Sequence, residues 1–196
     1  MLPFDAQTAL VVVDLQNDFA DPAGSLAVAG GAGVIPVVNG AMEAAASAGA
    51  MVVATQDWHP ESTPHFAKDG GIWPVHCVGG TWGAELHPDF ELPDDAPRIR
   101  KGTGGEDGYC AFFVRDPVSG EEVPTELEGM LRERGIQRLV VAGLATDYCV
   151  KETAIDAARL GFGVSLLADG VAAVNLEPGD GDRAIQEMAA AGVEIG

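Results

Sequence analysis

Short apolar runs constrain the fold of this 196-residue chain more than any other feature. Three of them are residues 9–13, 51–55 and 139–143. None shows the alternation of apolar and polar residues that a half-exposed strand has, so each is predicted to be a strand covered on both faces. Residues 163–168 follow the same rule, and two weaker strand candidates are residues 98–101 and 193–195.

Alanine-rich or amphipathic segments lie between the apolar runs, and each is predicted to be a helix. They are residues 34–48, 124–134, 147–160 and 181–191. A glycine follows each segment, as is usual at helix C-termini: Gly49, Gly135, Gly161 and Gly192. Strands alternating with helices predict an α/β fold, here a three-layer sandwich with a mainly parallel sheet of about six strands flanked by helices.

The length predicts a single domain over residues 1–196, because domains usually run about 100–200 residues. Residues 58–97 and 102–123 are longer than ordinary connections between elements, which have a median of about 4–6 residues. The first of these segments, called the histidine loop below, holds all four histidines and all three tryptophans of the chain. That content argues against disorder, so the loop is predicted to bind a metal or a substrate.

The charge of the chain excludes several classes of partner. Thirty acidic residues against eleven basic ones give a formal net charge of −19, which repels nucleic acid and anionic membranes. No apolar run approaches the roughly 20 residues of a membrane span, and the N-terminus lacks the basic start of a signal peptide. We therefore expect a cytoplasmic protein with no nucleic-acid or membrane partner, and the sequence is compatible with a homo-oligomer.

The predicted strands end in residues that can carry chemistry, and ligands of open α/β sheets bind beyond such ends. These residues include Asp14, Gln16, Asp18 and Phe19 after the first strand, Asp57 and His59 after the second, Lys101, and Cys149. A thiol in the first turn of a helix near a lysine is favoured as the thiolate, and Asp14 could accept its proton. Taken singly, each is an ordinary buried side chain, cap or surface charge. Together, Asp14, Lys101 and Cys149 predict a nucleophilic site.

Asp57 and the histidine loop that follows it supply one carboxylate and three imidazoles, from Asp57, His59, His65 and His76. Such nitrogen and oxygen ligands suit Zn²⁺, Fe²⁺ or Mn²⁺. A metal-free loop in which the histidines hydrogen-bond internally is the alternative, and the spacing alone leaves both open. His87 is predicted to be structural, and Cys77 to be a packed side chain. The three cysteines of the chain are widely spaced and form no CxxC pair, so reduced thiols are expected.

Several segments together match a known family. They are VVDLQNDF at 12–19, TQDWHP at 55–60, WPVHCV at 73–78, KG at 101–102, YCAF at 109–112, GLATDYCV at 143–150 and LADG at 167–170. In this order and spacing the chain resembles the isochorismatase-like cysteine hydrolases, and within them the nicotinamidases, over nearly its whole length. Cys110 stands where many relatives have serine.

The resemblance implies a role for each residue singled out above. The catalytic triad would be Asp14, Lys101 and Cys149, and the ligands of one divalent metal ion would be Asp57, His59, His65 and His76. Phe19, Trp73 and Tyr109 would line a pocket for an aromatic ring. A cis peptide would precede Ala145, and the backbone amides of Ala145 and Cys149 would form the oxyanion hole.

The activity that the resemblance implies is hydrolysis of nicotinamide, and of pyrazinamide, through a cysteine thioester, with nicotinate and ammonia as products in NAD salvage. One alternative is a metal-independent member of the same superfamily that acts on another small amide or a vinyl ether, which metal analysis would reveal. The other is a catalytically idle homologue that acts as a binding protein. Thiol labelling of Cys149, with protection by nicotinamide, tests that second alternative.

Overall fold

The computed structural model describes residues 4–196 and contains eight strands in that range. They are β1 (Thr8–Val13), β2 (Met51–Asp57), β3 (Arg98–Lys101), β4 (Phe113–Arg115), β5 (Glu122–Pro124), β6 (Arg138–Leu144), β7 (Gly163–Ala172) and β8 (Glu194–Ile195). Six of them form one sheet in the order β3-β2-β1-β6-β7-β8, in which every pairing is parallel. The predicted mainly parallel sheet of about six strands is therefore confirmed.

The described residues form five α-helices, of which the first was not predicted and the other four lie close to predicted positions. They are α1 (Asn17–Ala20), α2 (Gly31–Ser47), α3 (Leu127–Glu133), α4 (Lys151–Arg159) and α5 (Asp180–Ala190). The glycines predicted to end the four longer helices all have left-handed φ angles, between 69° and 94°. An L-residue with a side chain is strained there, which is why glycine follows each helix.

The two faces of β1 show how the layers assemble. All six residues of this strand are buried, and its side chains alternate between the faces. Leu10 and Val12 pack with α2 in one core cluster. Val11 and Val13 share the other cluster with residues of α3, α4 and α5. Because both faces are covered, the strand is apolar throughout rather than alternating, and the structure is the predicted three-layer sandwich.

The strand order places the site. From β1 the chain proceeds outward through β2 and β3, then returns to pair β6 against the other side of β1 before adding β7 and β8. The order therefore reverses between β1 and β6. In open parallel sheets, a crevice forms at the carboxyl ends of the strands at such a reversal.

Three predicted segments differ clearly from the structure. Residues 102–123 contain β4, and the helix predicted at 124–134 begins only at Leu127, because β5 pairs antiparallel with β4 as far as Pro124. Strands of three residues, none of which is buried, leave too short a pattern to recognise. The helix predicted at 147–160 begins as a turn of π-helix, Thr146–Val150, before α4.

Two other expectations concern the whole chain. All three cysteines are free, as predicted. Within residues 4–196, no helix is long and apolar enough to cross a membrane.

Candidate active site

Asp14 lies where β1 leaves the sheet. Its φ angle is +48°, which is uncommon for a residue other than glycine and tends to occur at functional sites. Thr55 of β2 holds the residue twice: its hydroxyl donates to Asp14 Oδ1 at 2.5 Å and accepts the backbone N–H of Asp14 at 3.2 Å. The carboxylate is therefore fixed in position at the carboxyl end of the sheet.

Lys101, the last residue of β3, is fully buried beneath the crevice. Its ammonium donates to Asp14 Oδ2 at 2.7 Å, to Asp57 Oδ1 at 2.8 Å and to the carbonyl oxygen of Gly108 at 2.5 Å. These three bonds use all the donors that an ammonium has. Burial alone lowers the pKa of Lys101, but the two carboxylates outweigh it and hold this pKa well above its usual value. The lysine is therefore charged.

Cys149 approaches this pair from the turn of π-helix after β6, a type of turn that is frequent at functional sites. Its sulfur, an oxygen of Asp14 and an oxygen of Asp57 all lie within 4.8 Å of one another. Burial raises the pKa of the Cys149 thiol well above its usual value, although Lys101 acts to lower it. The prediction that the environment favours the thiolate is therefore wrong in its net direction, because burial is the larger effect. The buried thiol requires a base.

Asp14 is placed to be that base. Burial raises the pKa of its carboxyl to about 6, against the opposing charge of Lys101. A general base works best when its pKa lies near the operating pH, so this carboxylate is suited to accept a proton from the neighbouring thiol. Asp14, Lys101 and Cys149, called the strand-end triad below, are thus brought together from three strand ends.

The histidine loop brings His59, His65 and His76 into one buried cluster. One ring nitrogen from each lies within 4.8 Å of the other two. The rings of His59 and His65 stack with centroids 4.9 Å apart, and the ring of His76 lies edge-on to that of His59 at 5.3 Å. His87 lies outside the cluster, where its Nδ1 accepts the backbone N–H of Asp89.

The cluster fits a metal ion on two observations. Both ring nitrogens of His59 are buried without a hydrogen-bond partner among the described residues, which is rare for polar atoms inside a protein. Burial also lowers the pKa of His65 to about 3 and lowers that of His76, so both rings are neutral at physiological pH. Neutral imidazole is the form that binds metals, and an internally hydrogen-bonded loop would not leave His59 unpaired.

Asp57 connects the cluster to the strand-end triad. Its Oδ1 accepts from Lys101, while its Oδ2 lies 3.8 Å from Nε2 of His59, too far for a hydrogen bond. The three histidines form one group of closely spaced ligand atoms. The carboxylate of Asp57 belongs to a second such group, with Asp14 and Cys149. Burial alone raises the pKa of Asp57, but Lys101 and His59 lower it, and the net pKa is below its usual value. The carboxylate is therefore ionised.

A pocket opens between these two groups. Its walls include the predicted aromatic residues Phe19, Trp73 and Tyr109, and Ala145 and Cys149 lie at the same pocket. The indole N–H of Trp73 donates to the Tyr109 hydroxyl at 2.7 Å, which fixes both rings. The peptide bond between Leu144 and Ala145 is cis, as the family resemblance implies.

Three pocket residues escaped the sequence analysis: Leu26, Tyr148 and Val174. Tyr148 stands edge-on to Trp73, with ring centroids 4.8 Å apart, and its place beside Cys149 was a usable signal. Leu26 and Val174 gave none, because they come from connecting segments that meet the pocket only in the folded chain.

The chain is similar to known proteins over nearly all of its length. A family model for the isochorismatase domain matches residues 8–196. The nicotinamidase of Escherichia coli (strain K12) is 40% identical over 203 residues, covering 95% of this chain and 93% of that protein.

Two solved structures extend this similarity to the fold. A pyrazinamidase of Pyrococcus horikoshii in complex with zinc has a TM-score of 0.86 at 42% identity, covering 97% of this chain and 98% of that chain. An L. infantum protein in complex with nicotinate has a TM-score of 0.88 at 38% identity, covering 99% and 94%. The sheet order, the site and these similarities agree, and the chain belongs to the isochorismatase family.

Proposed function

We propose that this protein is a nicotinamidase, which hydrolyses nicotinamide to nicotinate and ammonia through a thioester on Cys149. The observation that carries the proposal is an aromatic-lined pocket whose wall includes the buried Cys149, next to its base, and two members of the three-histidine cluster, His65 and His76. The similarity to nicotinamidases, and to a protein that holds nicotinate, supports this choice within the family.

The acyl transfer uses the strand-end triad. Asp14 accepts the thiol proton as the sulfur of Cys149 forms its bond to the carboxamide carbon, because burial keeps the resting thiol protonated. Lys101 holds the Asp14 carboxylate in place and stabilises its charge before the proton arrives. The oxyanion rests on the backbone amides of Ala145 and Cys149. Asp14 returns the proton to the amine as the carbon–nitrogen bond breaks and ammonia leaves.

Hydrolysis of the thioester reverses these roles. A water molecule attacks the thioester carbon and gives its proton to Asp14. The carbon–sulfur bond then breaks, nicotinate forms, and the thiolate of Cys149 recovers the proton. Asp14 thus serves both half-reactions, with Thr55 and Lys101 holding its two oxygens.

Recognition of the ring is assigned to the other half of the pocket. His59, His65, His76 and the Oδ2 atom of Asp57 would hold one divalent cation, namely Zn²⁺, Fe²⁺ or Mn²⁺. When bound, that cation supplies a coordination position for the pyridine nitrogen of the substrate. Phe19, Trp73 and Tyr109 provide aromatic faces for the ring and exclude water from it.

The test is to incubate the purified protein with nicotinamide, with and without a chelator, and to measure both products. We expect ammonia and nicotinate in equal amounts, a lower rate after chelation, and a nicotinoyl adduct on the Cys149 peptide in acid-quenched samples. Parallel reactions with other small amides and with a vinyl ether test the alternative substrates. Turnover of one of those, without ammonia release from nicotinamide by the metal-loaded protein, would overturn the proposal.

A further inference from the structure

Asp18 is a buried carboxylate that the proposed mechanism does not use. It follows β1 in the VVDLQNDF segment and lies in α1 with 8% of its surface exposed. Its Oδ2 accepts the backbone N–H of Cys77 at 2.7 Å, and its Oδ1 accepts the backbone N–H of Ser25 at 2.9 Å. One buried side chain therefore joins three separate segments of the chain.

In each of those three segments, a residue directly adjacent in sequence lines the pocket. Cys77 directly follows His76, Ser25 directly precedes Leu26, and Asp18 itself directly precedes Phe19, and all three neighbours line the pocket. Cys77 also has a φ angle of +45°, a conformation that a residue with a side chain avoids without outside support. The bond from its N–H to Asp18 supplies such support.

We propose that Asp18 is a positioning residue whose carboxylate fixes His76 relative to the pocket walls at Phe19 and Leu26. Asp18 itself is not among the residues that line the pocket. By holding the turn at Cys77, Asp18 keeps the His76 imidazole in position beside the imidazoles of His59 and His65. The effect on substrate binding rests on the proposed function, whereas the effect on metal binding does not.

Gly83 offers a way to move this carboxylate without changing it. A Cβ added at Gly83 would lie 2.0 Å from Oδ2 of Asp18, and the three atoms nearest to it all belong to the Asp18 side chain. Gly83 does not have a left-handed φ angle, so its backbone accepts alanine. Gly83→Ala should therefore displace the Asp18 carboxylate and reproduce the effect of removing it.

The experiment compares Asp18→Ala, Asp18→Asn and Gly83→Ala with the unchanged protein. Asp116→Asn is the matched control, because Asp116 also accepts two backbone N–H groups, from Val118 and Ser119, but does so in an exposed turn. The readouts are the Zn²⁺ dissociation constant of the metal-free protein, by competition with a chelator, and KM and kcat for nicotinamide at saturating metal. Thermal unfolding of each variant gives the folded fraction.

We expect Asp18→Ala to raise the Zn²⁺ dissociation constant by about 10–100-fold, the range for residues that support a metal ligand. KM should rise by about tenfold, while kcat changes less than about threefold because the strand-end triad is untouched. Asp18→Asn should fall in between, since its amide oxygen still accepts one bond. Adding Gly83→Ala to Asp18→Ala should have no further effect, because the clash has been removed.

The proposal would be overturned if a folded Asp18→Asn or Gly83→Ala variant had a lower melting temperature but unchanged metal affinity and unchanged KM. Asp18 would then have only a structural role. Full additivity of the two substitutions would do the same. Should Asp18→Ala fail to fold, the other two variants decide the question. If the unchanged protein does not hydrolyse nicotinamide, the metal-affinity measurement still tests Asp18 separately.

Discussion

The strand-end triad and the histidine cluster both contribute residues to the same pocket, but they differ in whether their polar atoms have hydrogen-bond partners. In the triad, all three donors of Lys101 and both oxygens of Asp14 have hydrogen-bond partners inside the protein. In the cluster, both ring nitrogens of His59 are buried without a hydrogen-bond partner within residues 4–196. The polar atoms of Lys101 and Asp14 are thus bonded within the protein, whereas the cluster keeps buried nitrogen atoms free for a ligand.

This difference separates the two tasks of the pocket. Groups that stabilise developing charge act best when they are held in place beforehand, and the strand ends of a rigid sheet do this. A metal site must keep ligand atoms available, so its side chains cannot spend their hydrogen bonds on each other. Damage to the triad should therefore affect chemistry or folding, and damage to the cluster should affect recognition.

The largest expected effect comes from Cys149→Ala. Removal of the nucleophile should reduce ammonia release from nicotinamide by at least about 1,000-fold, while Zn²⁺ affinity stays unchanged because the cluster is intact. Cys110→Ala is the matched control, since Cys110 is also buried but is free of the triad, and it should keep most of the activity. Wild-type turnover by Cys149→Ala would show that the sulfur is not the nucleophile.

Lys101→Met tests whether the triad is a structural unit as well as a chemical one. Removing this ammonium leaves the buried carboxylates of Asp14 and Asp57 unpaired, which should lower the free energy of unfolding by about 3–5 kcal/mol. Lys68→Met is the control, because Lys68 pairs with Asp69 at the surface, where loss of an ion pair should change the free energy of unfolding far less. Urea unfolding measures the free energy of unfolding of both variants. Equal decreases would contradict the idea that the strand-end triad is a structural unit.

His59→Ala tests the cluster. Loss of this imidazole should weaken Zn²⁺ binding by at least about 100-fold, which is more than the loss of a residue that only supports a ligand. The free energy of unfolding of the metal-free protein should be nearly unchanged. His87→Ala should leave Zn²⁺ binding within about twofold, since His87 lies outside the cluster. Similar Zn²⁺ affinities for the two variants would favour the metal-free alternative for the loop.

The smallest effect is expected at the aromatic wall. Trp73→Phe removes the donor to the Tyr109 hydroxyl, a bond with a net contribution of about 1 kcal/mol, so KM should rise by about fivefold with little change in kcat. Tyr109→Phe removes the acceptor of the same bond, and the double variant should be no worse than either single one. Additive effects would mean that the two rings act independently.

Much of the fold could be predicted because its signals are local. A strand covered on both faces must be apolar along its whole length, and a helix followed by a left-handed residue favours glycine there. The hairpin of β4 and β5 gave no such signal, because each strand has only three residues and none of them is buried. The residues of the strand-end triad could also be identified, since the carboxyl ends of parallel strands meet at one edge of the sheet.

The sequence by itself determined which residues are available: an apolar sheet, an acid, a lysine and a cysteine at its strand ends, and four histidines in one loop. The tertiary structure decided how they divide the work. It buried Cys149 beside Asp14, set Asp57 between Lys101 and His59, and separated His87 from the other histidines. Burial, and contacts between distant segments, control ionisation and ligand geometry, and neither is encoded in local pattern or spacing.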